Sequence, residues 1–473
     1  MAIALASLLA TGTPSANGRF PTAQHVVIGP GASSDVVAMR VTFGMLLSTD
    51  GGGTFHWFCE EGMFYPVVPA LNFDPPVEIA ARGDVVFGYE EGIRYSADAC
   101  GTGEVRGAAR HSFSDLTSDP SGRILYAIEA GSGVPNAVYR GDGMTLEFTR
   151  VGAGVTGVYF DTIEVAPSNP RRLYLTGRDD TFRSVFFRSD DGGETLALVA
   201  PDGDAAPADS LWVSGVDPRD PDTLYVRAAV GLGTELRRSR DGGRTFRRVA
   251  ATAGQMLGFA MSDDGRTLWF GSIEGGLQRS DDGGESFRPV NRVPILCLRQ
   301  HQGVLWACSD WVNQPFALGR SRDRGATFEP ALRFSDFNQF RGPPACATRS
   351  EGAAVCVERW SVFQRMFANP GGADGGTAPP RDAGSRDASM DVASPVDAAL
   401  DAPPLDASRR DAGASTPSSG ACNCTVPGSG PDARDVGVMA AIGALLRRRR
   451  ARGALAASRC LRAPPRGPRQ GNP

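Results

Sequence analysis

One short turn, written five times, constrains this chain more than any other feature. STDGGGTF (Ser48 to Phe55), SDDGGETL (Ser189 to Leu196), SRDGGRTF (Ser239 to Phe246), SDDGGESF (Ser280 to Phe287) and SRDRGATF (Ser321 to Phe328) share the frame S-x-D-x-G-x-[ST]-[FL]. An aspartate side chain can accept hydrogen bonds from backbone N–H groups two or three residues on, and glycine adopts positive φ without steric cost. Each box therefore encodes a tight, self-capped hairpin turn. The interval from Ser48 to Ser189 is about three times the later ones, which calls for two decayed copies. Ser96-Ala97-Asp98 keeps the serine and aspartate, and Tyr139-Arg140-Gly141-Asp142 keeps little beyond Asp142.

A second element recurs at a steady distance before each box. Asn169-Pro170 leads into Leu173-Tyr174-Leu175, and Asp220-Pro221 leads into Leu224-Tyr225-Val226. Asp264-Gly265 before Leu268-Trp269-Phe270 and Asp119-Pro120 before Leu125-Tyr126 are looser versions. Each unit reads strand, turn, aromatic strand, longer connection, strand, box, strand, with apolar residues alternating where strands fall. The 59 glycines and 34 prolines suit such a strand-and-turn chain. Seven units repeating every ~40–50 residues match the period of propeller blades. The expected fold is all-β: a seven-bladed β-propeller of four-stranded antiparallel blades, followed by a disordered tail.

The frame S-x-D-x-G-x-T-F resembles the Asp-box, or BNR repeat, of sialidase-like and sortilin-like β-propellers. That resemblance implies a box hairpin between the third and fourth strands of each blade, at the outer rim and away from the central site. On this reading Ser48, Asp50, Asp98, Asp142, Ser189, Asp191, Ser239, Asp241, Ser280, Asp282, Ser321 and Asp323 serve construction, not chemistry.

The flanks are not propeller-like. Residues 1–16 carry an apolar run from Ala2 to Ala10 and then small residues, which resembles a secretory signal peptide; a buried first strand is the alternative. The propeller is assigned to 17–367. Residues 368–421 are rich in Asp, Ala and Pro, nearly free of aromatic and β-branched residues, and read as a disordered linker. In 422–450, Cys422 and Cys424 precede the apolar Val436 to Leu446 and the cluster Arg447 to Arg450. This order is similar to the MYXO-CTERM surface-sorting tail of myxobacterial proteins, which implies Cys422 or Cys424 as the processing or lipid-attachment residue and membrane or outer-surface anchoring in a Gram-negative bacterium. A solvated arginine-rich terminus is the alternative. Residues 451–473 form an Arg/Pro-rich extension expected to be disordered.

An exported chain would oxidise its cysteines, and six fall in the repeat region: Cys59, Cys100, Cys297, Cys308, Cys346 and Cys356. Six cysteines allow ~15 pairings. The close spacing of Cys297 with Cys308 and of Cys346 with Cys356 suggests local bridges, leaving Cys59 for Cys100. None of these six forms a C-x-x-C pair and the four histidines are scattered, so neither a metal site nor a cofactor is expected.

Composition excludes several functions. No lysine occurs, which removes Schiff-base chemistry and a phosphate-binding P-loop lysine. A net charge of −4 gives no reason to expect nucleic acid. Catalytic sialidases, by the same resemblance, need an F-R-I-P-like motif and a late tyrosine nucleophile. Gly18-Arg19-Phe20-Pro21 imitates the first, but no tyrosine follows Tyr225, so no catalytic residue is assigned.

Strand alternation places a ligand site on the face opposite the boxes, where the second-to-third and blade-to-blade connections lie. Candidate ligand-binding residues there are Glu60, Glu61 and Tyr65 after blade one, Tyr89 in blade two, Arg178, Asp179 and Asp180 in blade four, and Trp311 and Asn313 in blade seven. Exposed Tyr and Trp beside carboxylates suit a glycan or protein ligand. The chain is expected to act as a monomeric, exported binding or scaffold module. A glycoside hydrolase on the same fold, or an assembly factor resembling the propellers that help build photosystems, is the alternative.

Overall fold

A computed structural model describes residues 21–66, 74–108, 111–200, 202–203, 210–335, 340–341 and 350–368. The signal-like segment, the linker, the tail with Cys422 and Cys424, and Cys346 lie outside the described residues.

Seven antiparallel sheets follow one another along the chain. Blade 1 runs Ala23–Ile28, Val37–Val41, Gly44–Ser48, Phe55–Phe58, and blade 2 runs Val77–Ile79, Val85–Tyr89, Gly92–Ser96, Gly103–Glu104. Blade 3 comprises Phe113–Ser118, Ile124–Glu129, Asn136–Asp142, Glu147–Val155, and blade 4 Val158–Ala166, Asn169–Asp179, Ser184–Ser189, Ala197–Val199. Blade 5 comprises Ser210–Val216, Leu224–Val230, Gly233–Ser239, Thr245–Thr252, and blade 6 Met256–Met261, Leu268–Ser272, Gly276–Ser280, Arg288–Asn291. Blade 7 runs Cys297–His301, Val304–Cys308, Leu318–Ser321, Glu329–Leu332. The first strand of each blade packs beside the first strand of the next, blade 7 against blade 1 included, so the fold is a closed seven-bladed β-propeller. Two blades gain a short parallel edge strand: Asp202–Gly203 on blade 5 and Phe340–Arg341 on blade 1.

Each full box joins the third and fourth strands with one hydrogen-bond set. In the last-but-one copy, Ser280 Oγ donates to Asp282 Oδ1 (2.6 Å) and accepts from the Gly284 N–H (2.8 Å). Asp282 Oδ1 also accepts from the Ser286 N–H (3.0 Å), and Ser286 Oγ donates to Asp282 Oδ2 (2.6 Å). The same partners recur around Asp50, Asp191, Asp241 and Asp323. Of the decayed copies, Asp98 accepts from the Cys100 N–H, and Asp142 from Met144 and Thr145. The box glycine has a second task. A Cβ on Gly243 would lie 2.1 Å from a ring carbon of Phe186, and one on Gly284 would lie 2.9 Å from the Tyr225 hydroxyl. These boxes thus seat on the preceding blade, Gly243 against its third strand and Gly284 against its second.

The aromatic second strand answers from the other side. Tyr126 donates its hydroxyl to the Pro170 carbonyl of the next blade (2.8 Å), and Tyr174 does so to Pro221 (2.6 Å). Tyr225 donates to the Gly283 carbonyl (2.9 Å), and Trp269 Nε1 to that of Arg324 (3.0 Å). Buried hydroxyl and indole groups need partners. Here those partners tie blade to blade.

Ring closure departs from strand exchange, because among the described residues blade 7 is built wholly from 297–332 and blade 1 takes its four antiparallel strands from 23–58. A helix performs the closure. After blade 7 the chain forms α2 (Glu351–Ala368), which packs against the short α1 (Glu60–Phe64) that follows blade 1. Ala353, Cys356, Trp360, Phe363 and Phe367 fall three or four residues apart and make one apolar face. Ser350 caps the N-terminus, its Oγ accepting from the Ala353 N–H (3.0 Å). Phe363 and Phe367 pack on Phe43 of blade 1, and Phe367 also meets Phe334 and Trp311 from blade 7.

A disulfide joins Cys59 to Cys356, across a sequence separation of 297. That bond corrects the pairings expected from spacing, Cys59 with Cys100 and Cys346 with Cys356. Proximity in sequence misled because α2 returns to the first blade. Cys100 is disulfide-bonded, but not to Cys59. Cys297 and Cys308 are bonded, facing each other across the first two strands of blade 7.

Candidate functional site

The seven innermost strands enclose an axial cavity of about 1230 Å³. The innermost strands present both apolar and polar residues to the cavity. One wall, from blades 2 to 4, is acidic: Glu78, Asp115 and Glu164. Their direct hydrogen-bond partners are neutral. Ser118 Oγ donates to Glu78 (3.0 Å) and Thr117 Oγ1 to Glu164 (3.3 Å), while Asp115 accepts from the Ile163 and Leu116 N–H groups (2.9 and 3.0 Å).

Burial raises all three, and repulsion from neighbouring carboxylates adds to it at Asp115 and Glu164. Burial first, then the charge of Glu78, pushes the Asp115 carboxyl up to about 7, against the hydrogen bonds it accepts. Burial, then Asp115 and Glu78, pushes Glu164 up to about 8, and burial raises Glu78 despite the opposing charge of Arg299. Near neutral pH the wall therefore holds both protonated and ionised carboxyls.

The facing wall is cationic and aromatic. Arg227 lies over the Trp212 ring (5.7 Å to its centroid), donates to the Met256 carbonyl (2.7 Å), and is lowered to about 10 by burial. Arg299 faces the cavity from blade 7. His25 is held down at about 3, first by burial and then by Arg40, Arg299 and Arg227, so it is a neutral imidazole at physiological pH. Among the described residues, no group of three or more His, Cys, Asp or Glu is placed to hold a metal.

The candidates read from sequence separate into different roles. Arg178 reaches the cavity and pairs with Asp161 (2.8 Å). Its neighbour Asp179 instead builds a hairpin, accepting from the Thr181 and Arg183 N–H groups, and Asp180 is exposed. Tyr89, expected to be exposed, is buried, stacked on Phe64 and covered by Arg94. Trp311 is half-buried in the closure, its Nε1 donating to the Pro21 carbonyl (2.7 Å). Asn313 bonds Asp310 within its own loop. Glu61 pairs with Arg359 of α2 (2.9 Å), Glu60 opens α1 beside it, and Tyr65 remains partly exposed at the helix edge. The structure does not bring these residues together into one site. Glu78, Asp115, Glu164, Trp212, Arg227 and Arg299 were missed because nothing local marks them. An acidic residue flanked by apolar ones in a first strand, such as Glu164 between Ile163 and Val165, was the available signal.

No protein-family model matches the chain, and no curated protein does. Among solved structures it is similar to a GH74 enzyme of Niastella koreensis, at 15% identity over 66% of this chain and 64% of that one, with a TM-score of 0.33. The GH74 xyloglucanase from Xanthomonas campestris gives 15% identity, 64% and 63% coverage and a TM-score of 0.33. Hydrazine synthase of Kuenenia stuttgartiensis gives 11%, 68% and 100%, and 0.42. The chain spans less than two thirds of either GH74 chain. The seven sheets themselves establish the propeller.

Proposed function

We propose that this propeller is an exported binding module whose axial cavity holds a polar, polyhydroxylated ligand, best matched by an oligosaccharide segment. The observation that carries the reading is the cavity wall: clustered carboxylates opposite Arg227, Arg299 and the Trp212 ring. A sugar offers hydroxyls to bidentate acids and guanidinium groups and an apolar ring face to an aromatic, which suits a site of this composition. Disulfides such as Cys59–Cys356 and Cys297–Cys308 persist in oxidising compartments, in keeping with export.

A second reading, glycoside hydrolysis, is favoured by one observation. Asp115 and Glu164 sit near 7 and 8, so one carboxyl could donate a proton at neutral pH while a neighbour stays ionised. Glycan-array binding by the full chain, run beside a reducing-sugar assay on soluble polysaccharides, separates the readings. Binding without sugar release supports the module; release that disappears in Glu164→Gln supports the hydrolase. Absence of both rejects the carbohydrate reading.

A further inference from the structure

The connections between second and third strands end in exposed apolar residues on five successive blades. These are Val134 in blade 3, Phe182 in blade 4, Val230 and Leu232 in blade 5, Ile273 in blade 6 and Val312 in blade 7. Two protrude most: Phe182 is 56% and Leu232 94% exposed. Phe182 is also held at φ +61°, a conformation that favours glycine and is unusual for an aromatic. Asp179 fixes it there, accepting from the N–H groups on either side while its own carbonyl accepts from the Phe182 N–H (2.9 Å). The backbone is thus built to present an apolar ring to solvent.

All these tips lie on the face opposite the boxes. The same face carries α2, which packs over Phe43 and Trp311, both in second-to-third connections, and from its end at Ala368 the chain continues into residues 369–473. Those residues include the apolar stretch Val436 to Leu446 and the arginines that follow it. The exit of this tail and the apolar tips therefore share one side of the propeller.

We propose that this face rests on a lipid bilayer surface, with Phe182 and Leu232 entering the headgroup layer and Val134, Ile273 and Val312 at its margin. Separate apolar tips divided by polar loops suit an interfacial layer, where each can insert alone. A protein partner would need a contiguous apolar core instead. No described helix is long and apolar enough to cross a membrane, so the contact through the described residues is interfacial. Asp180 and Glu274 stand exposed beside the tips, with Arg183 as a counter-charge, so anionic lipid is not the attractant.

The test is flotation of the full chain with phosphatidylcholine vesicles, with and without added phosphatidylglycerol. The double variant Phe182→Asp/Leu232→Asp should lower the vesicle-bound fraction by ~10-fold or more. Both side chains are exposed, so its melting temperature should hold. Met144→Asp/Leu198→Asp, on residues exposed elsewhere on the propeller, should bind as the parent does, and phosphatidylglycerol should leave the difference between parent and tip variant unchanged. Failure of the parent chain to float, equal flotation of parent and tip variant, or a requirement for phosphatidylglycerol would overturn the proposal. So would light scattering showing a self-associated chain that the tip variant dissociates, which would assign the face to a second copy. None of these outcomes bears on ligand binding in the cavity.

Discussion

Asp241 illustrates how much one side chain carries when it closes a turn. It accepts from the Thr245 N–H and hydroxyl and from Ser239, holding Gly243 against Phe186. Asp241→Ala should cost ~1–2 kcal/mol, the usual cost of an uncapped turn, seen as a lower melting temperature with ligand binding intact. Glu164 behaves oppositely. Its folded pKa lies at about 8, above the ordinary 4.5, so the folded state holds a proton that the unfolded state has released. Stability should therefore fall as pH rises from about 4.5 to 8, and Glu164→Gln should remove that loss. Thermal melts at pH 5 and pH 9 check the sign: the variant should gain on the parent chiefly at pH 9. Box aspartates were legible in sequence because their partners lie within five residues. Glu164 was not, because its partners Thr117, Asp115 and Glu78 come from other blades.

At the scale of elements, the repeat was readable wherever spacing alone decides structure. Leu-Tyr-Val strands, Asp-Pro turns and boxes placed the strands, and even the decayed copies at Asp98 and Asp142 keep their capping bonds. The element that closes the ring was not anticipated. Ala353, Cys356, Trp360, Phe363 and Phe367 spell a helical face, yet they follow a run of strands and fall inside the 17–367 assigned to a wholly stranded propeller. Trp311, expected as an exposed ligand anchor, is half-buried and packs on Phe334 and Phe367 in the closure. Trp311→Ala should cost roughly 2–3 kcal/mol, below the range for a fully buried ring. Cys356→Ser should cost ~2–5 kcal/mol, since it frees a very long loop. Chemical denaturation of both variants provides the measurement, and hydrogen exchange in Cys356→Ser should rise first in 351–368.

On the scale of the whole molecule, seven copies of one turn make a ring, and the ring makes a cavity that no single copy contains. The boxes face outward and bind the blades to one another; the axis collects whatever polar residues the first strands can spare. That division explains why the fold was legible and the candidate site was not. Local turns repeat in the sequence, whereas Glu78, Asp115, Glu164, Trp212, Arg227 and Arg299 belong to five different blades. The most direct test is isothermal titration of one array-identified glycan into the parent chain, Trp212→Ala and Asp241→Ala, with melting temperatures recorded for each. Trp212→Ala should weaken binding by ~10-fold or more while staying folded, as expected for loss of an aromatic anchor. Asp241→Ala should bind as the parent does despite its lower melting temperature. Undiminished binding by Trp212→Ala together with loss of binding in a folded Asp241→Ala would contradict the account, moving the ligand from the cavity to the boxes.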